Sequence, residues 1–364
     1  MKRRFTIIIT SLLAAALANG QDPNFSQYEV IKHYYNPAFT GDAKNIRAGI
    51  AYRNLWPNVP GLKFPGPLST YMGYVDIQLR NQPIVGGVGA FVLQDFEGEG
   101  YLRHTSGGLL YSYHASTKSA KPVFQFYSGF KISLNQLRID WSRLEFSDQF
   151  DPTTQGIVRP SAFIPNNNGK KTFFDVDFGV AGRFRLSENI TDWTNEVSFS
   201  VAHLVRPDIS LTEVETILPM KFSGHAISSI PVKNFFLSPK VMAEHQEDFF
   251  VITPGITLSY VKRVTDKIKK QPFYIGFYYR NGFADIGNTR SFIFNVGHNG
   301  YWEEKRMKYQ IGFSYDATMI GLPVNKTYGA FELTTTIVFY SKKLDPRCPG
   351  CCYDFGGGPL GPIE

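Results

Sequence analysis

From Lys308 to Tyr340 large apolar residues alternate with small or polar ones. Tyr309, Ile311, Phe313 and Tyr315 are interleaved with Gln310, Gly312, Ser314 and Asp316. After Gly321 and Pro323, the residues Phe331, Leu333, Thr335, Ile337 and Phe339 are interleaved with Ala330, Glu332, Thr334, Thr336 and Val338. A period of two puts one set on each face of a strand. The same pattern runs back along the chain. In 173–186, Phe174, Val176, Phe178, Val180 and Phe184 oppose Asp175, Asp177, Arg183 and Arg185, and in 46–53 Ile46, Ala48, Ile50 and Tyr52 oppose Arg47, Gly49, Ala51 and Arg53. Further strands are expected over 69–79, 85–95, 102–114, 123–135, 194–204, 220–229, 234–244, 251–261, 272–281, 290–298, 308–317 and 328–340. These are about fourteen segments, each near the roughly 10 residues of a tilted transmembrane strand.

A strand hairpin with one oily and one wet face belongs either to a sandwich or to a barrel in lipid. The connections separate the two. Counted from the first strand, the three longest links, 55–68, 136–172 and 205–219, fall on one end of the sheet. The links 80–84, 187–193 and 230–233 fall on the other and are short. A bacterial barrel has long outer loops and short periplasmic turns, and a sandwich has no reason for this alternation. The expected fold is therefore all-β, a transmembrane antiparallel barrel over 46–340 with periplasmic N- and C-termini. Its charged residues Arg47, Arg53, Asp175, Asp177, Arg183, Arg185, Asp316 and Glu332 point into the lumen, because unpaired charge is not tolerated toward hydrocarbon.

Composition supports export to a membrane. Lys2, Arg3 and Arg4 precede an apolar run from Phe5 to Ala18 and small residues at Ala18 and Gly20, the layout of a secretory signal peptide over 1–20. Aromatic residues make up 15% of the chain, while the mean hydropathy is only −0.18, as when the apolar band uses alternate residues. Nothing after the leader resembles the roughly 20 continuous apolar residues of a membrane helix. The net charge of +7 includes three positives of the leader. The rest suits basic loops near lipid or lipopolysaccharide, and an exported chain has no business with nucleic acid.

Residues 21–45 contain Pro23 and Pro37 and read as an ordered periplasmic segment ahead of the first strand. Residues 341–364 form a Cys- and Gly-rich periplasmic tail, where Cys348, Cys351 and Cys352 lie together. A local disulfide with one thiol left over is favoured there over a three-thiolate metal site, since structural zinc usually takes four ligands. No arrangement of nucleophile, base and acid stands out, the seven His are scattered, and no cofactor motif is found. Gly86-Gly87-Val88-Gly89 lies within a strand and signals close packing rather than a phosphate cradle. An enzyme is not expected.

Four local patterns occur in order. They are Asn36-Pro37-Ala38-Phe39-Thr40-Gly41 after Gln21-Asp22-Pro23-Asn24-Phe25-Ser26-Gln27, then Arg53-Asn54-Leu55-Trp56-Pro57, Ser314-Tyr315-Asp316-Ala317-Thr318, and Tyr328-Gly329-Ala330-Phe331-Glu332-Leu333. Together they resemble the PorP/SprF family of outer-membrane proteins of type IX secretion and gliding motility. The family's Cys-Pro pair after the last strand is matched by Cys348-Pro349, while Cys351 and Cys352 depart from it. The resemblance implies a non-enzymatic barrel that binds or delivers secreted, adhesin-like cargo with a type IX C-terminal domain. It also implies links to periplasmic or ring components of the secretion motor. On this reading Trp56, Pro57, Asn36, Pro37 and Phe39 are the candidate partner contacts, with the loop 136–172. A plainer reading has Asn36–Gly41 seat the N-terminus against the barrel, and Asp316 and Glu332 form buried lumen hydrogen bonds. The competing function is a channel or a transporter of hydrophobic substrates.

Overall fold

The computed structural model describes residues 22–43, 46–57, 68–79, 86–98, 102–116, 124–141, 144–151, 153, 156–157, 160–162, 169–185, 193–212, 214–263, 269–283, 289–302, 307–320 and 328–339. The leader, Cys348, Cys351, Cys352 and the rest of the tail lie outside the described residues.

Fourteen strands form the wall: β1 Ile46–Leu55, β2 Ser69–Leu79, β3 Gly86–Glu97, β4 Leu102–Ser116, β5 Phe124–Arg138, β6 Lys170–Arg185, β7 Thr194–Ala202, β8 Lys221–Val232, β9 Phe235–Gln246, β10 Phe249–Arg263, β11 Lys269–Phe283, β12 Thr289–Trp302, β13 Met307–Ile320 and β14 Ala330–Phe339. Each pairs antiparallel with the strand before and after it, and β1 closes on β14 with Ile46 opposite Phe339 and Arg53 opposite Glu332. Closure pairs the whole backbone, which a sheet in hydrocarbon requires. A two-residue hairpin, Phe150–Asp151 with Gly156–Ile157, decorates the link between β5 and β6.

The alternation read from the sequence is the alternation of the wall. Leu134, Phe174 and Phe277 are 62%, 52% and 55% exposed on the outer face, whereas Asp316 and Glu332 are 2% and 0% exposed within. Every expected strand is present, β2 over the expected residues and the others lengthened or shortened at their ends. The first residue of β1 and the last of β14 mark one mouth, here the terminal mouth, and the opposite one is the far mouth. The links 56–68, 139–169 and 203–220 all lie at the far mouth, while 80–85, 186–193 and 233–234 lie at the terminal mouth.

The sequence reads 21–45 as an ordered segment ahead of the first strand. Within it, 22–42 runs through the lumen, with Phe25, Gln27, Ile31, His33, Ala38 and Phe39 all nearly or wholly buried. Two prolines exclude a strand or a long helix, and a compact irregular thread is the form that fits between the walls.

Phe178 lies mid-strand on the outer face of β6. Phe178→Arg is expected to lower stability by about 2–4 kcal/mol, the cost of a basic side chain near the bilayer midplane. Urea unfolding of protein folded into vesicles measures it.

Candidate functional site

The lumen thread is built from local signals. One helical turn, α1 Lys32–Tyr35, ends at Asn36, whose side-chain oxygen accepts from the Ala38 N–H at 2.9 Å and caps a 3₁₀ turn over Pro37–Phe39. Ser, Thr, Asp and Asn do this because their short side chains reach the free N–H groups of a helix start. The Asn36 amide in turn donates to the backbone oxygens of Val180 and Phe199 at 3.0 and 3.1 Å. The wall makes room with glycine. A Cβ on Gly179 would stand 2.1 Å from Asn36 Oδ1, and one on Gly129 would stand 2.6 Å from Pro37 O. Gly87, in the run noted from the sequence, meets Thr40 and Gly41 in the same way.

Charge ties the thread to the wall at every level. Near the terminal mouth Asp42 receives Arg183 at 2.5 and 2.6 Å, and the same guanidinium reaches Glu196 at 2.5 Å. Lys32 lies 2.5 Å from Glu196, and His225 lies 2.8 Å from it. Glu29 pairs with Lys240 and accepts from the Tyr278 hydroxyl. Toward the far mouth the Ser26 hydroxyl donates to Asp316 at 2.7 Å, while the Ser26 and Gln27 amides donate to Glu332 at 2.7 and 3.0 Å. Arg53 and Arg280 complete this cluster at 2.8 and 2.9 Å from Asp316. Because Arg53, Asp316 and Glu332 sit on β1, β13 and β14, the thread bonds across the seam where the barrel closes. At the far end Asn24 donates to Glu244 at 2.5 Å, and Asp22 lies 2.9 Å from His203 Nε2.

His203 follows β7 and bonds Asp175 through Nδ1 at 2.6 Å. Burial opposes charge on the imidazole, but the Asp22 and Asp175 carboxylates outweigh it and push its pKa up to about 10. One ligand atom from each of Asp175, Asp177 and His203 lies within 4.8 Å of the others, close enough to hold a metal ion. Their acceptors already face protein cations, since Lys131 pairs with Asp177 and His203 bridges Asp175 and Asp22.

The inward residues read from the sequence, Asp175, Asp177, Arg183, Arg185, Asp316 and Glu332, all line the lumen. Of the candidate partner contacts, Asn36, Pro37 and Phe39 are buried within it and present no outer surface. They pack the thread against Gly129, Gly179, Val180 and Phe199. Trp56 and Pro57 follow β1 at the far mouth. The Trp56 backbone takes the left-handed conformation, with φ 53°, and donates to Gly329 O at 2.8 Å. Trp56 shares a cavity of about 270 Å³ with Asp22, Phe96, Lys221 and Phe249. The sequence reading missed Asp22, Glu29, Lys32 and Asp42 as lumen groups. Their signal was four charges in a segment too short and broken for a domain of its own.

A family model for the type IX secretion system membrane protein PorP/SprF matches residues 17–337. The chain belongs to the PorP/SprF family. It is a type IX secretion system membrane protein, built as a closed β-barrel of the outer-membrane type. No curated protein matches it. Solved structures similar to it are outer-membrane barrels at low identity. The COG4313 outer membrane channel from Pseudomonas putida F1 shares 12% identity at a TM-score of 0.40, over 87% of this chain and 98% of that one. The toluene transporter TodX of P. putida shares 9% at 0.41, over 84% and 93%. The KdgM porin shares 8% at 0.34, over 81% and 99%.

Two measurements follow from the ion pairs. Arg183→Met leaves Asp42 buried without its cation, and stability should fall by about 3–5 kcal/mol in urea unfolding. His203 gains its raised pKa on folding, so its contribution is full below the unfolded value near 6.5 and fades as pH rises toward about 10. A nitroxide at Asn24→Cys, with the tail cysteines replaced by serine, should sharpen its spectrum across that window. With His203→Gln added, it should stay mobile and lose that pH dependence.

Proposed function

We propose that this family member works as a closed barrel, a docking component of the secretion system rather than a conduit. It would bind or deliver secreted adhesin-like cargo, bearing a type IX C-terminal domain, on the cell surface. One observation carries the reading: residues 22–42 occupy the lumen and pair their charges with the wall from one mouth to the other. A channel needs a wet path, and a transporter needs a segment that can leave. Here withdrawal would strand several buried charges together, each exposed to the cost of an unpaired ion.

On this reading the far mouth faces the exterior. Trp56 and Pro57 lie there, at the end where the three longest links join the strands, and the cavity that Trp56 lines offers aromatic and charged groups to a protein partner. The terminal mouth then faces the periplasm, where the tail after residue 340, with Cys348, Cys351 and Cys352, would meet motor or ring components. The role is non-enzymatic, and lipopolysaccharide surrounds the outer face.

Planar-bilayer recording and affinity purification from the native envelope test this jointly. The intact protein should show no steady conductance, and deletion of 22–42 in any variant that still folds should open a pore. Tagged protein should bring down type IX components or one large adhesin. Steady conductance from the intact barrel, without partners, would favour the channel instead.

A further inference from the structure

The lumen thread has a direction. Asp42, which leads into β1, pairs with Arg183 near the end of β6, and the Gly41 N–H donates to Asp76 near the end of β2, both close to the terminal mouth. Thr40 accepts from Ser112, late in β4, also on that side. Asn36 meets Val180 and Phe199 further along, and Ser26 meets Asp316 beyond the middle of β13. Asp22 then reaches His203, just past β7, and Lys221, the first residue of β8. Both mark the far mouth. The two ends of the thread stay at opposite mouths, although the turn at Lys32–Tyr35 brings Lys32 back to Glu196, the third residue of β7.

From this we infer that Asp22 opens onto the membrane face opposite the one on which β1 starts and β14 ends. A barrel of even strand number has both ends of its wall on one side, so a thread that joins β1 on that side and reaches the other with Asp22 crosses the membrane through the lumen. The protein then presents the N-terminal end of its thread in the far-mouth cavity, where Asp22, Pro23 and Asn24 form part of the lining. A partner entering that cavity would touch a segment continuous with β1 on the other side. The claim is independent of which face is the exterior and of the docking role proposed above.

Single-cysteine variants in a background of Cys348→Ser, Cys351→Ser and Cys352→Ser test it in intact cells. Asn24→Cys is compared with Glu247→Cys in the β9–β10 turn at the far mouth and Lys233→Cys in the β8–β9 turn at the terminal mouth. Heat-modifiable gel mobility shows that each is folded. With a membrane-impermeant PEG-maleimide, positions 24 and 247 should shift together, and position 233 should require permeabilisation. In an inverted barrel the dependence reverses, but 24 still follows 247. Labelling of 24 together with 233 overturns the inference. If 24 is silent, cross-linking of purified Asn24→Cys/Glu244→Cys by a short bis-methanethiosulfonate decides, because the native side-chain tips are 2.5 Å apart. Absence of that cross-link would also sink it.

Discussion

The structure depends on the compensation of charge among side chains buried inside the barrel. The strands aim Arg47, Arg53, Asp175, Asp177, Arg183, Glu196, Lys240, Asp316 and Glu332 inward because their other face must meet hydrocarbon. Some of these settle within the wall, as Arg47 does with Asp76 at 2.7 Å. Others turn to the thread as well, as Arg183 does with Asp42 besides Glu196 and Lys240 does with Glu29. Residues 22–42 supply carboxylates, an ammonium group, a hydroxyl and amides at these heights. Wall and thread are thus two halves of one electrostatic core.

Such a core is poor evidence of high stability. Buried ion pairs roughly offset their own desolvation, whereas breaking one is costly. What they provide here is position. Asp42, Lys32, Glu29, Ser26 and Asp22 each have one matching level in the lumen, so a shifted thread would misplace them all together. The cluster at Ser26 also spans β1, β13 and β14, and so the thread fixes the line along which the sheet closes. A filled lumen moves the functional surface outward, to the mouths.

Much of the wall was legible beforehand. A strand in lipid cannot hide its period, since every second residue answers to hydrocarbon, and Phe174, Phe178, Asp175 and Asp177 declared their faces individually. Loop lengths gave the two ends of the barrel for a similar reason. The thread was not legible, although its motif was noticed. Asn36, Pro37 and Phe39 read equally well as a recognition surface or as a seat. Nothing local says that the Asn36 amide meets Val180 and Phe199, more than a hundred residues away.

The sequence by itself determined the fold class, the strand order and which residues turn inward, because these follow from period and from the intolerance of lipid for charge. Only the tertiary structure decided that the lumen is filled and in which direction the filling segment runs. Both depend on pairings between 22–42 and strands spread around the whole ring. Such pairings are set by height and angle in the closed barrel, and no spacing along the chain encodes them.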